Sequence, residues 1–131
     1  MAYLKPSVFT RKVFNPLAMS LGIGGSTALV VKRRSSGATQ EVPVVPVSYD
    51  GAEYVVSARG ESEWVRNVRS AGRLELRRRG AGTAYKAVEV PVSERPAVIA
   101  AYRAKAGRAV AGLWKQLPDD GDHPTFRLET E

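Results

Sequence analysis

Residues 27–60 read TALVVKRRSSGATQEVPVVPVSYDGAEYVVSARG, and this stretch decides the fold. Thr27-Ala28-Leu29-Val30-Val31 is a short apolar run with β-branched residues, suited to a buried strand. Residues 32–39 then gather Lys32, Arg33, Arg34 and Gly37 into a basic turn. Residues 42–48 form a second strand, although Pro43 and Pro46 deny it two amide donors, so it belongs at an edge or a bulge. Asp50-Gly51 is a strong hairpin signal, and residues 54–57 supply the third strand.

Downstream, residues 61–70 read as a helix with Trp64, Val65 and Val68 on one face. Arg73-Leu74-Glu75-Leu76-Arg77 alternates as a half-buried strand does; Gly80 and Gly82 turn the chain, and residues 85–92 give a fifth strand. Ser93-Glu94-Arg95-Pro96 looks like a helix start with Ser93 as N-cap. That helical stretch runs to about Lys105, pauses at Gly107, resumes to Leu117 and ends at Pro118-Asp119-Asp120-Gly121-Asp122. Residues 125–129 alternate again as a last strand. The pattern predicts a mainly β chain with α (α+β), its strands closing into a small barrel, which removes exposed edges, with helices packed around it.

Upstream, residues 4–21 place Val8, Phe9, Val13, Phe14 and Leu17 at helical spacing, with Lys5, Arg11 and Lys12 between them and Pro16 as a kink. Such a helix either packs on the barrel or touches a membrane surface with its basic face. Gly22, Gly24 and Gly25 end it; they precede a strand rather than follow one, which excludes a dinucleotide fingerprint. The expected division is a helical segment over 1–25 and a barrel over 26–131.

The 131 residues suffice for one core. The absence of cysteine excludes disulfides, thiolate metal sites and cysteine nucleophiles, and fits a reducing, cytoplasmic setting. His123, the single histidine, stands near the chain end and reads as an ordinary surface residue, so no metal centre or Ser-His hydrolase is expected. A net charge of +7 calls for an anionic partner or is simply a solvated basic face. The aromatic content of 8%, with no clustered tyrosines, argues against a base-stacking nucleic-acid platform. No run approaches the roughly 20 apolar residues that span a bilayer, and the N-terminus lacks a signal-peptide apolar region.

Against this background Arg33-Arg34-Ser35-Ser36-Gly37-Ala38-Thr39-Gln40-Glu41-Val42-Pro43, then Ser57-Ala58-Arg59-Gly60, then Trp64-Val65-Arg66-Asn67-Val68 resembles the deazaflavin-dependent nitroreductase family. That family's pattern is Gly-Arg-Lys-Ser/Thr-Gly-x-x-Arg-x-x-Pro, a strand ending Ala-Ser-Lys-Gly-Gly, and Trp-x-x-Asn-Leu. The chain departs from it at Ser35 for the lysine, Gln40 for the arginine and Ala58 for the serine, and in a shorter loop between Gly60 and Trp64.

The resemblance implies a split β-barrel of the flavin-reductase, FMN-binding type. It also implies binding of coenzyme F-420, an 8-hydroxy-5-deazaflavin with a phosphorylated, polyglutamate tail, and hydride transfer from its reduced form to a quinone, a nitroaromatic or an activated double bond. On this reading Arg33, Arg34, Ser35, Ser36, Gly37 and Gln40 form the phosphate turn. Lys32, Arg59 and Lys86 attract the acidic tail. Pro43 and Val44 wall the ring, and the amides of residues 57–60, including Ser57, Ala58 and Gly60, meet its polar edge. Trp64 and Asn67 take supporting positions, and Val45, Tyr102 and Trp114 are the candidates for substrate contact. No side chain stands out as an obligatory acid or base. FMN on the same barrel, or a non-enzymatic polyanion binder, are the alternatives; the protein is expected to be a monomer or homodimer.

Overall fold

The computed structural model describes residues 27–131; the expected N-terminal helix, over residues 4–21, lies outside them. In chain order the strands and helices are β1 (Thr27–Lys32), β2 (Thr39–Val44), β3 (Val47–Tyr49), β4 (Ala52–Val56), α1 (Glu63–Ala71), β5 (Arg73–Arg78), β6 (Ala81–Glu89), α2 (Arg95–Ala106), α3 (Arg108–Gln116) and β7 (Thr125–Thr130). Short 3-10 turns, Val92–Glu94 and Asp120–Asp122, precede α2 and β7.

The strands form one seven-stranded sheet in the order β2-β1-β5-β6-β7-β4-β3, and every neighbouring pair is antiparallel. Its two edges, β2 and β3, are consecutive in the chain and separated only by Val45 and Pro46. Three Cα steps of about 3.8 Å cannot cross a flat seven-stranded sheet, so the sheet must curl until its edges meet. Among the described residues no ladder joins β2 to β3, and the curled sheet is the split barrel that the sequence led us to expect. The single strand expected over residues 42–48 is instead two strands. Pro46 has no amide hydrogen to carry a ladder through, and the chain turns there from one edge to the other.

Period-2 alternation sorts β4 between two cores. Val55 faces the barrel interior with Leu29, Val31, Leu74, Leu76, Phe126 and Leu128; Trp64, Val65 and Val68 of α1 complete that cluster. Val56 faces outward, onto Val98, Ile99 and Tyr102 of α2 and Val110 and Trp114 of α3. Leu29, Val55 and Val65 are fully buried, and each contributes about 1.5–3 kcal/mol by leaving water.

Two local expectations change. Ser93 lies in the 3-10 turn and caps nothing; α2 starts at Arg95, with no side-chain N-cap. Arg95 is instead a buried tie, reaching the carbonyls of Val90 and Gly121, each at 2.9 Å, and Glu89 at 3.1 Å. Gly82 sits inside β6, and the turn is made by Arg79 and Gly80, both with positive φ. A Cβ at Gly82 would lie 1.7 Å from Glu75 Oε2, the far end of a flexible side chain, which would have to swing away. Among the described residues no helix is long and apolar enough to cross a membrane.

Candidate functional site

Two loops flank the N-terminus of α1. The first is the basic turn between β1 and β2. It closes through the Arg33 amide on the Ala38 carbonyl (2.8 Å) and the Gly37 amide on the Arg33 carbonyl (3.0 Å), with Gly37 at φ 77°. A positive φ is cheap only for glycine, so the turn's shape is written into this residue. Lys32, Arg33, Arg34, Ser35, Ser36 and Gly37 are all exposed.

The turn is tied to the barrel by one side chain. Asn67 of α1 is 2% exposed. Its carboxamide oxygen accepts the Arg34 amide at 3.1 Å and Arg34 Nη1 at 2.8 Å, while its Nδ2 donates to Gln40 Oε1 at 2.7 Å. Gln40 is thus part of the brace. Arg34 Nη1 also meets Glu63 Oε2 at 3.0 Å. Among the described residues no acid pairs with Lys32 or Arg33, and none accepts from the amides of Ser35 and Ser36. Those two amides, two cations and the positive end of the α1 dipole give the turn an anion-accepting face.

The second loop, residues 57–60, leaves β4 and enters α1. The Ser57 hydroxyl donates to the Gly60 carbonyl at 2.6 Å and lies 3.4 Å from the Ser62 hydroxyl. The Ser57 amide donates to the Pro124 carbonyl at 2.8 Å and the Gly60 amide to the Ser57 carbonyl at 3.3 Å. These two amides are therefore engaged inside the protein, which corrects the expectation that residues 57–60 all offer amides to a ring. Ala58 and Arg59 are half-buried. Ser62 and Glu63, at the start of α1, connect the two loops: Ser62 lies against Ser57, and Glu63 pairs with Arg34.

Pro43 and Val44 are half-buried on the edge strand β2, and Val44 packs against the interior cluster. Trp64 is 9% exposed and tilts against Phe126 at 6.1 Å, a core position. Val45, Tyr102 and Trp114 do come together, with Ala58, in the outer cluster. Tyr102 and Trp114 are buried there, with ring centres 6.0 Å apart. Burial pushes the Tyr102 phenol above its ordinary range, so it stays neutral. Val45 and Ala58 are among the half-buried members of this cluster, with Tyr54, Ala101 and Leu113. Lys86 is exposed on β6, paired across the ladder with Arg73 of β5.

Sequence reasoning missed Glu63, which carries no signal until the turn is seen folded against α1. It misplaced His123. That ring is fully buried, not a surface residue: its nitrogens lie 3.0 Å from the Ser57 carbonyl and 2.7 Å from the Leu117 carbonyl, and it stacks on Trp114 at 3.8 Å. Among the described residues no group of side chains has the makings of a metal site.

The fold is shared with proteins of known structure. Over its whole length the chain is similar to Atu2129 of Agrobacterium tumefaciens, a protein of unknown function, with a TM-score of 0.63 and 20% identity, and it spans 58% of that chain. With 98% of its length it matches a heme binding protein from Mycobacterium smegmatis (TM-score 0.60, 15% identity), spanning 53% of that chain. With 81% it matches a putative 5-nitroimidazole antibiotic resistance protein from Bacteroides thetaiotaomicron (TM-score 0.59, 8% identity), spanning 72% of that chain. At these identities the likeness is one of fold. No curated protein matches the chain. The model of one family, F420H(2)-dependent quinone reductase, matches residues 9–115, which takes in the basic turn, the loop at residues 57–60, α1, α2 and all but the last residue of α3. The chain belongs to the F420H(2)-dependent quinone reductase family.

Proposed function

We propose that this protein binds coenzyme F-420 across the N-terminus of α1 and uses its reduced form to reduce a quinone. The observation that carries the reading is the basic turn tied to α1 by Asn67 inside a chain of this family. The residues present fit the coenzyme's anionic part. Lys32, Arg33 and the outer side of Arg34 supply charge, and the Ser35 and Ser36 amides supply directed donors for a phosphate. Pro43 and Val44 offer an apolar wall for a planar ring. When bound, the reduced deazaflavin supplies the hydride, and the protein's part is to place the ring and shape the space beside it. Val45 and Ala58, half-buried in the outer cluster, are the residues proposed to line the quinone's approach; Tyr102 and Trp114 support them from beneath.

The test is a titration of oxidised F-420 against the fluorescence of Trp64 and Trp114, followed by mixing the reduced coenzyme and protein with a benzoquinone. Saturable quenching in the micromolar range and protein-dependent loss of the quinone are expected. No saturable signal up to millimolar coenzyme sinks the proposal, and saturation by FMN alone replaces it with the flavin reading.

A further inference from the structure

We infer that His123 is carried as a buried imidazolium that clamps the loop at residues 57–60 to the end of helix α3. Its surroundings leave little choice. The ring has no exposure, and both nitrogens face backbone carbonyls, Nδ1 toward Ser57 at 3.0 Å and Nε2 toward Leu117 at 2.7 Å. A carbonyl only accepts, so both contacts are hydrogen bonds only when both nitrogens carry protons. A neutral ring would set a bare nitrogen lone pair against a carbonyl lone pair in a dry site, which is costly.

The cation has compensation. Its face lies on the Trp114 ring at 3.8 Å and 10°, a cation–π contact. Its own turn carries Asp119, Asp120 and Asp122, and Asp120 Oδ1 takes the Trp114 indole N–H at 3.0 Å. The opposing charges are Arg95 of α2 on the Gly121 carbonyl, Arg103 of α2, 5.1 Å from the Trp114 ring centre, Lys115 of α3, and Arg59, which with Glu61 belongs to the loop region. At this end of the barrel β4 and β7 bring Val56 and Thr125, which are uncharged.

The clamp has a defined target. The Ser57 carbonyl takes the Gly60 amide and the imidazolium together, so the hydrogen bond that closes the loop shares its acceptor with His123. A side chain without the Nδ1 donor leaves that carbonyl to the Gly60 amide alone and loosens the loop beside Ser62 and α1. His123 is thus a positioning residue, and its effect on coenzyme binding rests on the function proposed above.

Because the chain has a single histidine, 15N-histidine labelling of the wild-type protein without an added tag reports this ring alone. At pH 7.5 both nitrogens are expected to show the shifts and proton couplings of an imidazolium; a neutral-tautomer pattern with one bare nitrogen overturns the inference. In His123→Phe, which keeps the stacking and removes both donors, exchange of the Gly60 and Ser62 amides is expected to rise about tenfold while β1 and β5 amides hold; unchanged exchange overturns the clamp. His123→Gln, which restores a donor, is expected to recover part of the protection. If the phenylalanine variant does not fold, the wild-type spectrum still decides. An imidazolium with no coenzyme binding at any pH overturns the function proposed above and leaves the clamp standing.

Discussion

Asn67 and Arg34 stand 33 residues apart in the chain, yet one carboxamide oxygen of Asn67 takes both the backbone amide and the guanidinium of Arg34. This double acceptance fixes where the basic turn sits and which way its arginine points. Replacing Asn67 with alanine removes three hydrogen bonds from a buried position, for an expected stability loss of about 2 kcal/mol. Urea denaturation measures it. F-420 binding is expected to fall at least about tenfold, beyond what lost stability explains, because the turn is no longer held to α1. An unchanged urea midpoint removes Asn67 from the role of brace.

Glu63 meets the same arginine at the same nitrogen, Nη1, that Asn67 accepts from. The pair is partly exposed, with side-chain exposures of 35% and 56%, so its contribution to stability is under about 1 kcal/mol. In the proposed binding mode, the coenzyme phosphate would compete with this carboxylate for Arg34. Glu63→Gln is expected to leave the melting temperature nearly unchanged and to tighten coenzyme binding about two- to fivefold. Isothermal titration tells the outcomes apart: weaker binding in the variant means that Glu63 aims the guanidinium rather than obstructing it.

Among the described residues, Glu61 is a half-sheltered contributor to the acid side of the stability profile. The guanidinium of Arg69, which donates to Glu61 from Nη1 at 2.6 Å and from Nη2 at 2.8 Å, holds the Glu61 carboxyl below the usual range. The folded state therefore binds this proton less readily than the unfolded state. The pair's contribution is fully present above the unfolded carboxylate pKa of about 4.3, and it is lost as pH falls through the lower folded value. Thermal midpoints of wild type and Glu61→Gln between pH 7 and 2 are expected to converge at the acid end. A constant gap assigns the effect of the substitution to packing.

Lys105 of α2 donates from Nζ to the Pro46 carbonyl at 2.5 Å. It pins the two residues that carry the chain from one sheet edge to the other. Lys105→Met keeps the stem and loses the bond, at a cost of about 1 kcal/mol. Since Val45 adjoins Pro46, steady-state kinetics are expected to show a raised KM for the quinone and an unchanged coenzyme affinity. A shift in coenzyme affinity alone shows that the crossing serves the coenzyme instead.

The strands and helices were legible because each carries its own local periodicity. Leu74 and Leu76 alternate with charged neighbours, and Trp64, Val65 and Val68 share one helical face. Pro43 and Pro46 announced an edge, since a missing amide hydrogen is a local fact. That β2 and β3 are opposite edges of one curled sheet was not legible; it follows from β7 pairing with β4, a contact between distant residues. The cations of the basic turn were visible in the chain, whereas the Glu63 partner of Arg34 appears only once α1 is docked. His123 was misjudged for a related reason. Its position near the chain end suggested solvent, but β7 passes through the middle of the sheet and draws the residues before it into the interior.

The place of β7 also has a consequence for biosynthesis. It is the last of the seven strands to be made, yet it lies between β6 and β4. While it is still inside the ribosome, β2-β1-β5-β6 and β3-β4 are two separate ribbons, with β6 and β4 each presenting an unsatisfied edge. Adding one strand of six residues then converts both ribbons into a curled sheet at once. The nascent chain is most prone to stray pairing just before β7 becomes available, and anything that delays β7 prolongs that exposure.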